Sequence, residues 1–359
     1  MNAACYLRRL ALVALLITVA MAALNYYADP YGVWRYGLPS DPIRSRPAIR
    51  NQERMHKAHA VRFADADCII LGSSRVIVGI DPNHPALPEK TYNLGLSAAN
   101  IYECWRYLQH AATFQKPKLV LLAIDKGMFD ADSRPEVDFD EQRIAVAADG
   151  TPNPNWGRAD MPETLLSLDA FVDSLKTLRD KTGVAYKDGL RDEVLLKPYM
   201  QAAKVLSENV RWKDMSRKFA WNNARGQNAQ RDAFVQLLSF CKKNKIELRI
   251  FTNPLHAEML DIEYGDGVAF EQWGRWLNEV LANFQMSFCN FYHFLPENSE
   301  PFPKPGEKVS AMKSYWEISH YKKAVGDRVL SEVMRNDRPA EGDWLTTLRS
   351  ERAAWKEGR

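Results

Sequence analysis

The 359-residue chain is poor in cysteine, and its five (Cys5, Cys68, Cys104, Cys241 and Cys289) are scattered, with no C-x-x-C pair. That excludes a disulfide scaffold, a zinc ribbon and a thioredoxin-like redox site. Charge of one sign is also lacking: 48 Lys+Arg against 45 Asp+Glu leave a net +3. Such a weak field argues against a general nucleic-acid binder. There is no internal repeat, no low-complexity tract and no second long apolar run, so fibrous and multi-span architectures are excluded. G-x-G-x-x-G after a strand, G-x-x-x-x-G-K-[ST], H-E-x-x-H and G-x-S-x-G are all absent. Dinucleotide, P-loop, zinc-protease and ordinary α/β-hydrolase readings therefore fail. The seven histidines have no metal-ligand spacing, and neither a metal nor a cofactor is implied.

What is present is a globular composition, 46% hydrophobic and 26% charged. At roughly 150 residues per domain, the length suggests two domains or one with a large insertion. Arg8 and Arg9 precede a single apolar run, Leu10 to Leu24, and Tyr26 and Tyr27 follow it. Positive charge before the run and aromatics at its far end predict a spanning helix with the short tail 1–9 in the cytoplasm. Ala20-Met21-Ala22 also fits a signal-peptide cleavage site, but the run continues unbroken to Leu24, which favours an uncleaved anchor over 10–27. In a bacterium the remaining chain then lies in the periplasm or outside the cell, tethered to the inner membrane.

Residues 28–66 read as a basic juxtamembrane linker. Asp29-Pro30-Tyr31-Gly32 is a turn, Pro39, Pro42 and Pro47 keep the chain irregular, and Arg44, Arg46, Arg50, Arg54, Lys57 and Arg62 predict a solvated surface. Five short apolar runs follow, at 67–71, 91–94, 118–124, 246–252 and, weakly, 287–291. Helices are expected at 99–113, 228–244, 268–283 and 320–334. Near-continuous apolar strands alternating with helices predict an α/β domain over 67–335, a three-layer sandwich with a mostly parallel five-stranded sheet. Residues at about 129–227 interrupt that pattern as a helical insertion between the third and fourth strands, with a helix at 161–180. Trp156, Trp212 and Trp221 in it either stack on sugars or pack the insertion's own core. Residues 336–359 are a charged tail.

In such sheets chemistry collects where parallel strands end. Ser74 stands just after the first strand, in Gly72-Ser73-Ser74-Arg75, and an acid-x-x-His, Glu317-Ile318-Ser319-His320, stands near the C-terminus. A hydroxyl needs a base to become a nucleophile, and an imidazole base needs a group that fixes its tautomer. A plain strand-to-helix turn at Ser73-Ser74, and an N-cap at Ser319, are the structural alternatives.

These residues resemble the SGNH (GDSL-type) hydrolase superfamily. The similarity is greatest to its membrane-anchored, exported branch, related to polysaccharide O-acetylation and teichoic-acid D-alanylation proteins. One N-terminal span, Asp-Pro-Tyr-Gly, Leu-Gly-Ser-Ser-Arg, Tyr-Asn-Leu-Gly-Leu-Ser and the terminal Ser-His-Tyr carry it, over roughly 25–130 and 230–335. The resemblance implies Ser74 as nucleophile, His320 as general base and Glu317 as its acid partner, where the family has Asp. Asp125 is the alternative acid. The family's glycine of the oxyanion hole falls on Ala98, within Gly95-Leu96-Ser97-Ala98. Its asparagine falls near Gly127, which has no side-chain donor. Arg75 either binds an anion or makes a structural ion pair. His256 lies after the fourth strand, at the same edge.

Two functions are compatible with these residues. One is a serine acyltransferase or esterase acting on O-acyl groups, acetyl foremost, of a cell-envelope polysaccharide through acyl-Ser74. A multi-span membrane protein exporting the acyl group would be its partner. The other is a non-catalytic, membrane-tethered polysaccharide-binding or assembly factor.

Overall fold

A computed structural model describes residues 3–38, 40–43, 45–181, 186–191, 196, 201–215, 219–307, 312–335 and 343–358. Pro39 and Arg44 of the expected linker, and 336–342 of the expected tail, lie outside them. The chain divides into two compact units: 1–63, 109–114 and 138–185 form the first, and 64–108, 115–137 and 186–359 the second. The stretch at 129–227 is thus not one body, because 138–185 belongs with the N-terminal residues.

The first unit contains α1 (Ala3–Ala28), α2 (Glu53–Ala60) and α5 (Leu168–Arg179). α1 is long and apolar enough to cross a membrane, and its apolar window is wholly exposed. The basic stretch after it is not a solvated linker. Arg46 is buried, donating to Asp41 at 2.7 Å and to the Asp29 carbonyl at 2.7 Å. Arg54 pairs with Asp138 at 2.9 Å, and Arg143 and His59 share Asp160 at 2.7 and 2.8 Å. Asp41 and Asp138 therefore neutralise arginines that look solvent-bound in the sequence, a pairing that buried charge requires. The turn is as expected in kind: Asp29, at φ +44°, accepts from the Val33 and Arg35 amides at 2.8 and 2.9 Å. Trp156, half-buried, packs against His59, His110 and Phe114 within this unit.

Burial also sets a pH response here. His56 donates from Nδ1 to the Tyr31 carbonyl at 3.1 Å, and burial, with Lys57 beside it, pushes its imidazole down to about 3. A histidine depressed in the folded state stabilises above its unfolded value of about 6.5, and that stability is lost as pH falls toward about 3. We expect thermal stability to fall by roughly 1 kcal/mol per pH unit below about 6.5. His56→Asn, which keeps a donor near Nδ1, should flatten that slope in melts at pH 7.5 and 4.5. An unchanged slope in the variant would remove His56 as the cause.

The second unit carries the sheet. Its strands are β1 (Cys68–Leu71), β2 (Thr91–Asn93), β3 (Leu119–Ile124), β6 (Glu247–Thr252) and β7 (Phe288–Cys289), in the order β2-β1-β3-β6-β7. All are parallel, with Cys68 opposite both Thr91 and Leu119, and Leu119 opposite Glu247. Every residue of β1 and β3 is buried, as strands covered on both faces must be. Ile70, Leu121 and Phe251 share a core with Val325, Val329 and Val333 of α10 (Lys323–Val333). The other helices are α3 (Ser74–Gly79), α4 (Ile101–Phe114, whose end belongs to the first unit), α6 (Ala202–Met215), α7 (Ala229–Lys243), α8 (Ala257–Tyr264), α9 (Val268–Asn283) and α11 (Trp344–Glu357). A hairpin, β4 (Tyr186–Lys187) with β5 (Leu190–Arg191), stands apart from the sheet.

Two expectations are corrected here. The last sheet-packing helix begins at Lys323 rather than His320, so Ser319 is not its N-cap. The charged tail contains α11, whose Trp344 and Leu348 are buried and whose Trp344 ring lies 6.1 Å from that of Trp273.

Candidate functional site

The strand order reverses at β1, with β2 on one side and β3 on the other, and ligand clefts form where such a sheet switches direction. The loops after β1 and β3 line a pocket of about 220 Å³ there, with Ser73, Ser74, Arg75, Asp125, Lys126 and Gly127 in its wall.

Gly72 allows the chain to turn out of β1. Its φ is +152°, and a Cβ there would lie 3.0 Å from the Ala123 Cβ. Ser73 then caps α3, and Ser74 is its first residue. Asn93 at the end of β2 fastens α3 by donating to the Val76 and Ile80 carbonyls at 2.8 and 2.9 Å. The partner loop, 314–322, closes on itself: Trp316 N–H donates to the His320 carbonyl at 2.9 Å, and Lys322 N–H to that of Ser314 at 2.8 Å. Asn209 of α6 steadies it by accepting from the Ile318 amide at 3.1 Å. The two halves meet because α3 and α10 approach without side chains between them. A Cβ on Gly326 would lie 1.7 Å from the Gly79 carbonyl oxygen.

Ser74 Oγ lies 2.8 Å from His320 Nε2. His320 Nδ1 is hydrogen-bonded to Glu317, whose carboxylate also accepts from the Ser319 and His320 amides at 2.8 and 3.0 Å. Glu317 is fully buried. Three donors to one buried carboxylate keep it fixed, so Nδ1 carries the proton and Nε2 is left to accept from Ser74. The extra methylene of Glu is absorbed by the tight 317–320 turn.

Asp125 does not hold the histidine. It accepts from Arg75 at 2.8 Å and Asn253 at 2.8 Å, with Ser73 and Tyr292 hydroxyls at 3.4 Å. Arg75 in turn donates to the Ser319 carbonyl and Oγ at 3.1 and 3.0 Å. Its fork is spent on protein groups, so the ion-pair reading of Arg75 is the one observed. It links the β1 loop to the histidine loop.

Ala98 lines the pocket with φ +53°, a left-handed conformation costing about 1–2 kcal/mol for a residue with a Cβ. The amides of Ser74, Ala98 and Gly127 make no hydrogen bond to another described residue. Gly95 and Ser97 contribute differently: the Gly95 amide donates to Asn93 Oδ1 at 3.1 Å, and Ser97 Oγ accepts from Arg191 at 2.8 Å. Neither is in the pocket wall. His256 caps α8, accepting from the Glu258 amide at 3.2 Å and donating to the Glu300 carbonyl at 2.9 Å, and it lines a different cavity. It is not in the wall of the pocket that holds Ser74.

Lys126 and Glu263 in the pocket wall carried no expectation in the sequence, and Trp212 was named only as a residue that stacks on sugars or packs the insertion. Lys126 is 5% exposed, and its ammonium sits 4.1 Å from the Phe219 ring centre. Burial pushes its pKa down. Glu263 is pushed up, because burial and the nearby Asp125 charge outweigh Arg75 at 3.5 Å. Trp212 meets the His320 ring edge-on at 5.5 Å. Lys126 follows β3 by two residues, so the rule that sites form at strand ends points to it. Glu263 and Trp212 lie on helices far away in the sequence and give no such signal. Trp221, half-buried, packs on Trp276, outside the pocket wall. Among the described residues no group of three or more His, Cys, Asp or Glu is placed to hold a metal.

No family model matches the chain, and no curated protein matches it either.

Proposed function

We propose that the chain is an exported, membrane-anchored serine acyltransferase or esterase with an SGNH-like fold, acting on O-acyl groups, acetyl foremost, of a cell-envelope polysaccharide. One observation carries the reading: the Ser74–His320–Glu317 relay, with 2.8 Å between Ser74 Oγ and His320 Nε2, at the carboxyl edge of a parallel sheet. Ser74 Oγ attacks the acyl carbonyl while His320 Nε2 takes its proton, and the carbonyl electron pair moves onto oxygen. The tetrahedral centre collapses, expelling the donor alkoxide, which leaves with the proton from the imidazolium. A sugar hydroxyl, or water in the esterase direction, then enters by the reverse steps and releases Ser74. Glu317 stabilises the imidazolium throughout.

The amides of Ser74, Ala98 and Gly127 would hold the oxyanion. Ala98 adopts the backbone conformation natural to the glycine that the family has there. Each such donor is worth about 10²–10³-fold in rate. Lys126 puts an amine in the pocket wall that can donate to a carboxylate or a polarised carbonyl on the substrate. The residues at about 129–227 are an insertion relative to that family. Arg8-Arg9, in the first turns of α1 and ahead of its apolar run, would orient the domain outside the inner membrane, facing the polymer and a multi-span acyl exporter.

The second reading, a non-catalytic polysaccharide-binding or assembly factor, is favoured by one feature: among the described pocket residues there is no asparagine or glutamine donor. Transfer separates the two. Incubated with an activated acetyl ester and envelope polysaccharide, the full-length protein should raise the polymer's acetyl content, or with acetylated polymer release acetate. A protein that binds the polymer yet changes its acetyl content in neither direction would be the assembly factor.

A further inference from the structure

In the first unit, α5 is amphipathic the wrong way round for water. It buries small residues, Ala170, Ser174 and Thr177, on one stripe. Its large apolar residues face out: Leu168 is 73% exposed and Val172 47%, and Leu178 is exposed as well. The turn before it continues the patch with Leu166 and Met161, 49% and 46% exposed. A soluble helix does the reverse, since each Leu or Val left in water forgoes about 1.5–3 kcal/mol of burial. This surface therefore calls for an apolar medium.

Its place on α1 says which one. Ser174 donates to Asn25 Oδ1 at 2.9 Å, and Asn25 Nδ2 donates to the Leu165 carbonyl at 3.0 Å. Tyr31 reaches Asp173 at 3.2 Å. Asn25 and Ala28 are the buried residues of α1, so α5 docks where the apolar run ends. Tyr26 and Tyr27 stand there half exposed, and the Trp34 ring lies 6.2 Å from that of Tyr26 while its Nε1 donates to Thr164. Aromatic side chains gathered past the end of an apolar span mark the depth at which hydrocarbon gives way to headgroups. Lys176 and Arg179 at the end of α5 add cations suited to anionic lipid.

We propose that α5 lies in the bilayer interface beside α1, with Met161, Leu166, Leu168 and Val172 in contact with lipid, so that the first unit holds the membrane by two elements. A single spanning helix leaves a domain to swivel; a second, interfacial helix fixes its tilt. This contact is independent of any role for Ser74.

Site-directed fluorescence tests it in the full-length protein. With Cys5→Ser the remaining cysteines are buried, so Leu168→Cys or Val172→Cys can be labelled singly with an environment-sensitive probe. In phosphatidylethanolamine/phosphatidylglycerol vesicles we expect blue-shifted emission, at least twofold quenching by tail-brominated lipid and little by iodide. Quenching by iodide but not by brominated lipid would overturn the proposal and leave the face in water. Protection from both would overturn it too, and point to a protein covering the patch.

Discussion

Ser74→Ala should abolish acyl-enzyme formation and lower kcat/KM by about 10⁴-fold or more, with no loss of fold. Ser74 is half-buried, and among the described residues its hydroxyl bonds to His320 alone of the side chains, so removing it leaves no buried group stranded. The melting temperature should stay within a degree or so. His320→Ala should be nearly as inactive, because the same proton transfer is lost. The double variant should be hardly worse than either single one, since residues acting as a unit are not additive. Glu317→Gln should keep a folded protein with a smaller loss, as the amide still fills the turn but holds the wrong tautomer. Steady-state kinetics beside thermal melts check all four. An activity loss in Ser74→Ala matched by a fall in melting temperature would mean that the serine is structural.

Arg75→Met should be the most destabilising single change at the site. It removes the cation between Asp125 and Glu263 and cuts both bonds to Ser319. Breaking a buried pair from one side costs about 3–5 kcal/mol, because the other charge is left uncompensated. For a unit of this size that is roughly 10 °C in melting temperature. Activity should fall with it, since the Arg75–Ser319 bonds set the height of the loop carrying His320. Arg75→Lys should recover part of the stability but less of the activity, because an ammonium keeps the charge without the fork. A melt unchanged in Arg75→Met would show that the buried cluster is neutral without it.

The centre of the sheet was legible in the sequence because β1 and β3, buried on both faces, are short runs that are apolar throughout. Ser74 and His320 were legible for a related reason: the strand ends announce where loops converge, and an acid-x-x-His has few other uses. What escaped were features settled by partners distant in sequence. Arg46 and Arg54 read as solvated until their acids at 41 and 138 are seen. Arg75 could not be resolved between anion site and ion pair, because Ser319 lies 244 residues away. His256 sat at the expected edge but was taken up by the start of α8. The 161–180 segment was correctly helical, yet its reversed amphipathicity has meaning only beside α1.

The most direct measurement is the intact and peptide-mapped mass of the full-length protein after brief exposure to an activated acetyl ester. A single acetyl group on Ser74, missing in Ser74→Ala and much slower to appear in His320→Ala, is the result expected of a nucleophile activated by the histidine. An acetyl group on another residue, or none on the wild-type protein under conditions in which the ester hydrolyses, would contradict it.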